Sequence, residues 1–137
     1  MAKLSVTCAV ILLDGKVFAA CRGKGKNLAG YWEFPGGKVE SGETLLECIK
    51  REMLEELNML INPIKVLPHT VHDYENFSID LYPVVCEVEH EKFELREHTD
   101  AGWFTRQQIE QLKWAPADLP IVMQLINGEI EHGILVG

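Results

Sequence analysis

Residues 44–57 carry well-marked signals for a single helix, and the rest of the chain must pack around it. Thr44, with Glu47 three residues later, fits a capping box at the helix start. Asn58 follows the segment and tolerates the left-handed conformation that ends many helices. Apolar residues recur inside the segment at helical spacing: Leu46, Ile49, Met53 and Leu57. The segment therefore predicts one amphipathic helix whose apolar stripe is buried against a core.

The sequence on both sides of this helix is mostly β-forming. Apolar runs at residues 4–13 and 16–21 are separated by Asp14-Gly15, which is a strong hairpin signal. Further elements are predicted as strands at 32–34, 64–71, 77–88 and 101–104, a helical turn at 106–112 and a second helix at 118–127. With 137 residues, we expect a single α/β domain spanning residues 1–137.

The chain carries 13 basic and 21 acidic side chains, so its formal net charge is −8. Proteins that grip polynucleotides present a basic patch, and none is visible, so we do not expect a polynucleotide partner. An acidic protein can still bind a polyphosphate if divalent cations bridge the two sets of negative charge. No apolar run approaches the roughly 18–20 residues of a membrane span, and the first residues lack the pattern of a signal peptide. We therefore expect a cytoplasmic protein without a membrane partner.

The four cysteines, Cys8, Cys21, Cys48 and Cys86, are widely and irregularly spaced. No Cys-x-x-Cys pair is present, which argues against a metal knuckle. Cys8, Cys48 and Cys86 lie in apolar surroundings, so we expect them to be small core residues and expect no disulfide framework.

Three carboxylates project from one side of the predicted helix. At 100° per residue, Glu52, Glu55 and Glu56 fall within an arc of about 100°, and the first and last of them adjoin the apolar stripe. Like charges this close repel one another, and burial near a core raises that cost. A solvated outer face is one explanation of such a cluster. The other is a site for Mg²⁺, which takes oxygen ligands in octahedral geometry and also binds phosphate oxygens.

The residues around this cluster favour the second explanation. Six of them stand at the spacing of the Nudix signature: Gly37, Glu43, Arg51-Glu52 and Glu55-Glu56. Met53 and Met59 replace the usual aliphatic residues and Asn58 replaces the usual Gly, and none of the three is a metal ligand of that signature. Two more segments are similar to those of MutT-type nucleoside triphosphate pyrophosphatases: Trp32-Glu33-Phe34-Pro35-Gly36-Gly37-Lys38 and Trp114-Ala115-Pro116-Ala117-Asp118-Leu119-Pro120. The chain thus resembles the Nudix hydrolase superfamily, and within it the MutT-like subgroup.

The resemblance implies a Nudix fold, in which a mixed β-sheet is sandwiched between α-helices. It implies a site for Mg²⁺, with Mn²⁺ as an alternative, formed by the backbone carbonyl of Gly36 and by the carboxylates Glu52, Glu55, Glu56 and Glu97. One of Glu52, Glu55 and Glu97 would act as the catalytic base. Glu43 and Arg51 would form a supporting ion pair beside Gly37. Substrate-binding residues would be Arg22 and Lys38 at the phosphates, and Glu33, Phe34, Tyr74, Leu81 and Asp118 around the base.

By the same resemblance, we expect a hydrolase that cuts a nucleoside triphosphate into a nucleoside monophosphate and pyrophosphate, with a small-molecule nucleotide as its partner. Asp118 leaves the base open. An ionised carboxylate suits the exocyclic amine of cytosine, as in relatives that act on CTP or modified dCTP, whereas a protonated carboxyl suits an oxidised purine such as that of 8-oxo-dGTP.

Two rival functions stay open at this point. One is a Nudix hydrolase of dinucleoside polyphosphates or nucleotide sugars, because Tyr74 lies near the place where some dinucleoside polyphosphate enzymes carry a Tyr. The other is a non-catalytic Nudix domain that binds nucleotide or protein. The sequence also does not decide between a monomer and a homodimer, or between nucleotide-pool sanitation linked to DNA repair and general nucleotide turnover.

Overall fold

The computed structural model describes residues 2–130. Residue 1 and residues 131–137, which the expected domain included, lie outside the described residues. The strands are β1 Ala2–Leu13, β2 Lys16–Cys21, β3 Trp32–Glu33, β4 Gly36–Lys38, β5 Asn62–Val66, β6 Thr70–Asp73, β7 Phe77–Glu87 and β8 Asp100–Phe104. The helices are α1 Leu45–Leu57, α2 Arg106–Ile109 and α3 Leu119–Ile126, and one 3₁₀ turn covers Pro116–Asp118.

All eight of these strands join one mixed sheet around the long strand β1. β1 runs parallel to β7, from Ala2 opposite Phe77 to Leu12 opposite Glu87. On its other side β1 pairs antiparallel with β2 and with the short strand β4. Strand β2 also pairs antiparallel with β3 and with β8. The strand after the β2–β3 loop and the strand after the β7–β8 loop therefore both lie beside β2.

The hairpin between β1 and β2 confirms the turn predicted from Asp14-Gly15. Both residues have positive φ angles, 50° for Asp14 and 77° for Gly15. A two-residue turn of this kind matches the right-handed twist of the strands that it connects.

A core lies on each face of the sheet, which confirms the predicted sandwich of helices around a mixed sheet. On one face α1 packs through Ile49, Met53 and Leu57 against β1 and β2 residues that include Ile11 and Phe18. On the other face α2 and α3 pack against β1, β2 and β7 through Ile109, Ile121, Val122 and Leu125. Cys8, Cys48 and Cys86 are buried and unbonded to one another, as predicted.

Helix α1 begins and ends where its sequence predicts. Thr44 caps it through a complete capping box with Glu47, and Asn58 ends it at a φ of 51°. The prediction of the apolar stripe is wrong at Leu46, which is 43% exposed. It lies in the first turn, before the packed stripe begins, and Cys48 is the first residue of the helix that is buried.

The predicted strand at residues 64–71 is wrong as a single element. It divides into β5 and β6, which lie one after the other along β7. Pro68 falls in the gap, and because proline has no N–H to donate, a ladder of strand hydrogen bonds is interrupted there. Among the described residues, no helix is long and apolar enough to cross a membrane.

Candidate active site

A cleft of about 340 Å³ opens between one face of the sheet and the loops that surround it. This volume lies within the range of small-molecule sites, roughly 300–1,000 Å³. β1 and β7 form the floor with apolar side chains that include Leu4, Val6, Ile79 and Leu81. The lining includes ten more of the residues that the sequence singled out: Arg22, Glu33, Phe34, Gly36, Gly37, Lys38, Glu56, Tyr74, Glu97 and Asp118.

Gly36, Gly37 and Glu56 line the first end of the cleft, and Glu52, which is not among the lining residues, lies beside Gly37. The Glu52 side chain is only 13% exposed, and it lies directly against the backbone of Gly37. A Cβ atom added to Gly37 would approach the Glu52 carboxyl carbon to 2.5 Å. An alanine at this position would therefore displace the end of the flexible Glu52 side chain from its place beside Gly37.

Glu56 lies one turn after Glu52 and is 7% exposed. Its Oε1 atom is buried and has no hydrogen-bond partner within the part of the chain that the structure describes. The pKa of Glu56 is raised well above its ordinary value, and burial is the largest cause. The neighbouring carboxyls of Glu52, Glu97 and Glu33 raise it further. A buried acid among other acids keeps its proton unless a cation takes the place of that proton.

These residues fit a hard divalent cation. Every candidate ligand atom at this end is an oxygen, which is the ligand atom that Mg²⁺ prefers. A cation would also give the unpaired Oε1 atom of Glu56 a partner. Within residues 2–130, no three His, Cys, Asp or Glu side chains lie close enough together to hold a metal ion as they stand. Mg²⁺ keeps several waters and binds with few protein ligands, so an open set of carboxylates suits it better than a cage.

Glu97 approaches this end from the loop before β8. The loop is fixed to the end of α1, because the Arg96 amide donates to the Glu56 carbonyl at 3.2 Å and the Glu94 amide donates to the Leu57 carbonyl at 2.9 Å. The Glu97 side chain is 47% exposed, and its nearest cation is Lys26, at 3.8 Å. Its charge reaches Glu56 and contributes to the raised pKa there.

Glu55 stands apart from the other two helix glutamates. It is 59% exposed and accepts a hydrogen bond from Arg51 at 3.2 Å, on the solvent side of the helix. The structure thus brings Glu52, Glu56 and Glu97 towards one place and leaves Glu55 at its outer edge.

Arg51 organises the helix side of the site. It binds both oxygens of Glu43, at 2.6 and 2.9 Å, which is the supporting ion pair that the resemblance implies. Its Nη1 atom donates to Glu52 at 2.8 Å, and its Nη2 atom donates to the Lys38 carbonyl at 3.2 Å. Hydrogen bonds from Arg51 hold the pKa of Glu43 at about 2, so this acid stays ionised and the orientation of Arg51 is maintained.

The second end of the cleft contains Asp118. This residue closes the 3₁₀ turn, but its side chain does not cap α3. Instead its Oδ2 atom accepts a hydrogen bond from the Phe34 amide at 2.7 Å. Burial raises the pKa of Asp118 to about 8, although the bond from Phe34 acts in the opposite direction.

Apolar and aromatic side chains surround Asp118. The ring of Phe34 is 3% exposed and stacks on Trp114 with ring centres 4.7 Å apart, so it is both a core residue and part of the cleft wall. Tyr74 and Phe77 also line the cleft, and their rings stack with centres 4.9 Å apart. Leu81 is 3% exposed and lies on the cleft floor.

A cluster of Arg22, Glu33 and His98 joins the two ends. The Oε1 atom of Glu33 accepts from Arg22 at 2.7 Å, and its Oε2 atom lies 2.9 Å from Nε2 of His98. Burial alone would raise the pKa of Glu33, but the hydrogen bonds from His98 and Arg22 outweigh it and the pKa is lowered.

The lining residues that the sequence reasoning missed include Lys26, Phe77 and His98. His98 directly follows Glu97, and that adjacency is the only signal that could have indicated it. Lys26 lies in a loop without a motif, and Phe77 is the first residue of a predicted strand, so nothing local distinguishes them from surface or core residues.

The chain is similar to known proteins over most of its length. The family model described as NUDIX domain matches residues 2–125. The CTP pyrophosphohydrolase of Escherichia coli K12 is 30% identical over 122 residues, which cover 89% of this chain and 90% of that protein. The putative 8-oxo-dGTP diphosphatase 2 of Mycobacterium tuberculosis H37Rv is 31% identical over 114 residues, 82% of this chain and 81% of that protein.

Solved structures of similar proteins share the fold. The solution structure of the E. coli ORF135 protein superposes with a TM-score of 0.77 at 30% identity and covers 90% of this chain and 88% of that one. The MutT protein of methicillin-resistant Staphylococcus aureus 252, described as a Nudix hydrolase, gives a TM-score of 0.75 at 32% identity over 93% of this chain and 99% of that one. From the family match over most of its length, this chain belongs to the Nudix family.

Proposed function

We propose that this protein is a Mg²⁺-dependent nucleoside triphosphate pyrophosphohydrolase that releases a nucleoside monophosphate and pyrophosphate. Its substrates would be oxidised or modified nucleoside triphosphates of the 8-oxo-dGTP type or CTP and dCTP. The observation that carries the proposal is that one continuous cleft has Glu56 and Glu97 at one end and the buried Asp118 at the other. A triphosphate at the acidic end and a base at the apolar end would use both. Relatives named for CTP and for 8-oxo-dGTP support the same class.

The residues that would hold the metal are Glu52, Glu56 and Glu97, joined by Glu55 and the carbonyl of Gly36. When bound, Mg²⁺ neutralises phosphate charge and makes a nearby water easier to deprotonate. Lys38 is exposed on the rim of the cleft and would contact phosphate oxygens. Arg22 is proposed for the same task, although its Nε and Nη1 atoms already donate to Asn27 and Glu33 within the protein.

The proposed reaction is an in-line attack of water on the β-phosphorus. The bond between this phosphorus and the oxygen that bridges to the α-phosphorus breaks, so that oxygen leaves with the nucleoside monophosphate. The water oxygen enters pyrophosphate, and its proton passes to a carboxylate, for which Glu52, Glu55 and Glu97 are the candidates. Positioning and charge stabilisation supply most of the rate enhancement in such reactions.

A panel of substrates tests this function. Purified protein with Mg²⁺ would be incubated with the common nucleoside triphosphates, 8-oxo-dGTP, a dinucleoside polyphosphate and a nucleotide sugar, and products would be separated. We expect pyrophosphate and a monophosphate from CTP, dCTP or 8-oxo-dGTP, and no reaction in excess EDTA. The Glu110→Gln variant removes one negative charge at an exposed position on the end of α2. It should match the wild type across the panel, and it is the control for Glu52→Gln, which removes the same charge.

Two results would overturn the proposal. One is cleavage of the dinucleoside polyphosphate or the nucleotide sugar in preference to every triphosphate. The other is the absence of turnover on the whole panel with Mg²⁺ and with Mn²⁺, while nucleotides still bind.

A further inference from the structure

We propose that His98 is a positioning residue that holds Glu33 and the loop carrying Glu97 in a fixed relation across the cleft. In its kinetic part this inference rests on the proposed function. His98 does not lie on α1, and it does not belong to the signature that identifies the family.

The side-chain contact is the first support. The His98 side chain is only 6% exposed, and its Nε2 atom lies 2.9 Å from Oε2 of Glu33, a residue 65 positions away in the chain. Arg22 occupies the other oxygen of the same carboxylate. Because Glu33 is ionised and accepts only, His98 must donate through Nε2. Both oxygens of Glu33 are thus fixed, and removal of His98 would leave one of them free to turn.

The backbone on either side of His98 is the second support. Thr99 donates its amide to the Cys21 carbonyl at 3.1 Å, and Arg96 donates its amide to the Glu56 carbonyl at 3.2 Å. The Glu97 carbonyl lies so close to Gly23 that an added Cβ would meet it at 2.7 Å. Between these backbone contacts, the His98 imidazole is the side chain that connects the loop before β8 to Glu33 in β3. Glu97 is the residue next to it in the chain.

The second ring nitrogen of His98 shows that packing alone does not explain the residue. Nδ1 is buried and has no hydrogen-bond partner within the described part of the chain. A buried polar atom without a partner is unfavourable, so an apolar ring of similar size would suit a purely structural position better. What histidine supplies here is a donor at the distance of Nε2, which phenylalanine lacks.

Two amide variants separate the two explanations. The side-chain nitrogen of glutamine reaches about as far as Nε2, whereas that of asparagine reaches only about as far as Nδ1. His98→Gln therefore keeps the donor to Glu33, and His98→Asn loses it. We expect His98→Gln to retain kcat within about threefold of wild type. His98→Asn and His98→Phe should each lose about 10- to 100-fold, the usual cost of removing a group that orients a metal ligand.

A readout that is independent of substrate accompanies the kinetics. Mn²⁺ binding to the metal-free protein would be measured by calorimetry for the wild type, the three His98 variants and Glu97→Gln. We expect His98→Asn and His98→Phe to bind Mn²⁺ more weakly, in the direction of Glu97→Gln, and His98→Gln to match the wild type. Thermal unfolding of each variant shows that it is folded, and His90→Asn, at an exposed histidine of the same connection, is the matched control.

The results that would overturn the inference are distinct. Wild-type kcat and Mn²⁺ affinity in folded His98→Asn and His98→Phe would remove any positioning role. Equal losses in all three variants, in proportion to their losses in Tm, would make His98 a packing residue. If the wild type hydrolyses no triphosphate, the proposed function fails by itself, and the Mn²⁺ comparison still decides the role of His98.

Discussion

At the scale of single residues, hydrogen bonds within the protein fix the orientation of the polar side chains in the cleft. Asp118 has one oxygen bound to the Phe34 amide, so the other is the one that a bound base would meet. With a pKa raised to about 8 by burial, this carboxyl is mostly protonated at neutral pH and mostly ionised above pH 8. The same oxygen is then a donor at low pH and an acceptor at high pH.

We therefore expect the base preference to change with pH. Below about pH 8 a donating Asp118 favours an oxygen acceptor such as O6 of an oxidised guanine. Above that pH an accepting Asp118 favours the exocyclic amine of cytosine. The ratio of kcat/KM for 8-oxo-dGTP to that for CTP should fall as pH rises through about 8.

The Asp118→Asn variant is the control for this prediction. Asparagine can still accept from Phe34, but it does not titrate, so the ratio should become independent of pH. A wild-type ratio that stays flat from pH 6.5 to about pH 9.5 would contradict the role given to Asp118, as would equal loss of activity on both bases in the variant.

Gly37 makes a second prediction at this scale. An alanine there places a methyl group within 2.5 Å of the Glu52 carboxyl carbon, so either the side chain or β4 must move. A displacement of about 1 Å at a catalytic group can cost about 100-fold in rate. We expect Gly37→Ala to lower kcat by about that factor while the protein remains folded.

Gly102→Ala is a suitable comparison for this variant, because the new methyl group would meet only the ring of Phe104, at 3.4 Å. It should leave kcat nearly unchanged. Full activity in a folded Gly37→Ala protein would show that the close approach of Glu52 to β4 has no functional importance.

At the scale of elements, the parts that could be predicted are those with local signals. Helix α1 and the β1–β2 hairpin are fixed by a capping box, an Asn stop and an Asp-Gly turn, each within a few residues of what it determines. The division of β5 from β6 also had a local signal, Pro68, which the prediction of a single strand over residues 64–71 did not use. The exposure of Leu46 depends instead on which turn of α1 reaches the sheet, and no local pattern carries that information.

The candidate site divides in the same way. Gly37, Glu43, Arg51, Glu52 and Glu56 were recognised together because they lie in one continuous segment around α1. His98 was missed because its contact with Glu33 joins residues 65 positions apart. Within the helix, spacing put Glu55 on the same side as Glu52 and Glu56, but it could not show that Arg51 holds Glu55 towards solvent.

The capping box of α1 supplies a prediction about stability. Thr44 accepts from the Glu47 amide at 3.1 Å and Glu47 accepts from the Thr44 amide at 2.8 Å. Thr44→Ala should lower the free energy of unfolding by about 1 kcal/mol, measured by urea denaturation. Because Glu52 lies two turns further on and is held by Arg51, kcat at 25 °C should change by less than about twofold.

The equivalent change in α2, Thr105→Ala, gives a matched comparison, since Thr105 forms the same capping box with Gln108. A large loss of activity in Thr44→Ala without a loss of stability would contradict this separation of scaffold from site.

At the scale of the whole molecule, a chain with a net charge of −8 is proposed to bind a polyanion. The cleft gathers Glu33, Glu56, Glu97 and Asp118 along its lining, whereas its cations on the rim are Arg22, Lys26 and Lys38. A triphosphate would add further negative charge to this surface. Divalent cations from solution would offset that charge, and a site of oxygen ligands favours hard divalent ions.

The measurement that decides this is Mg²⁺-dependent pyrophosphate release by the wild type and by Glu52→Gln, each shown to be folded by thermal unfolding. We expect the wild type to depend on added Mg²⁺, and Glu52→Gln to lose at least about 100-fold in kcat, because an amide cannot replace the charge of a carboxylate beside a divalent ion. Near-normal turnover by folded Glu52→Gln, or full wild-type activity in excess EDTA, would contradict a metal-dependent hydrolase built on this helix.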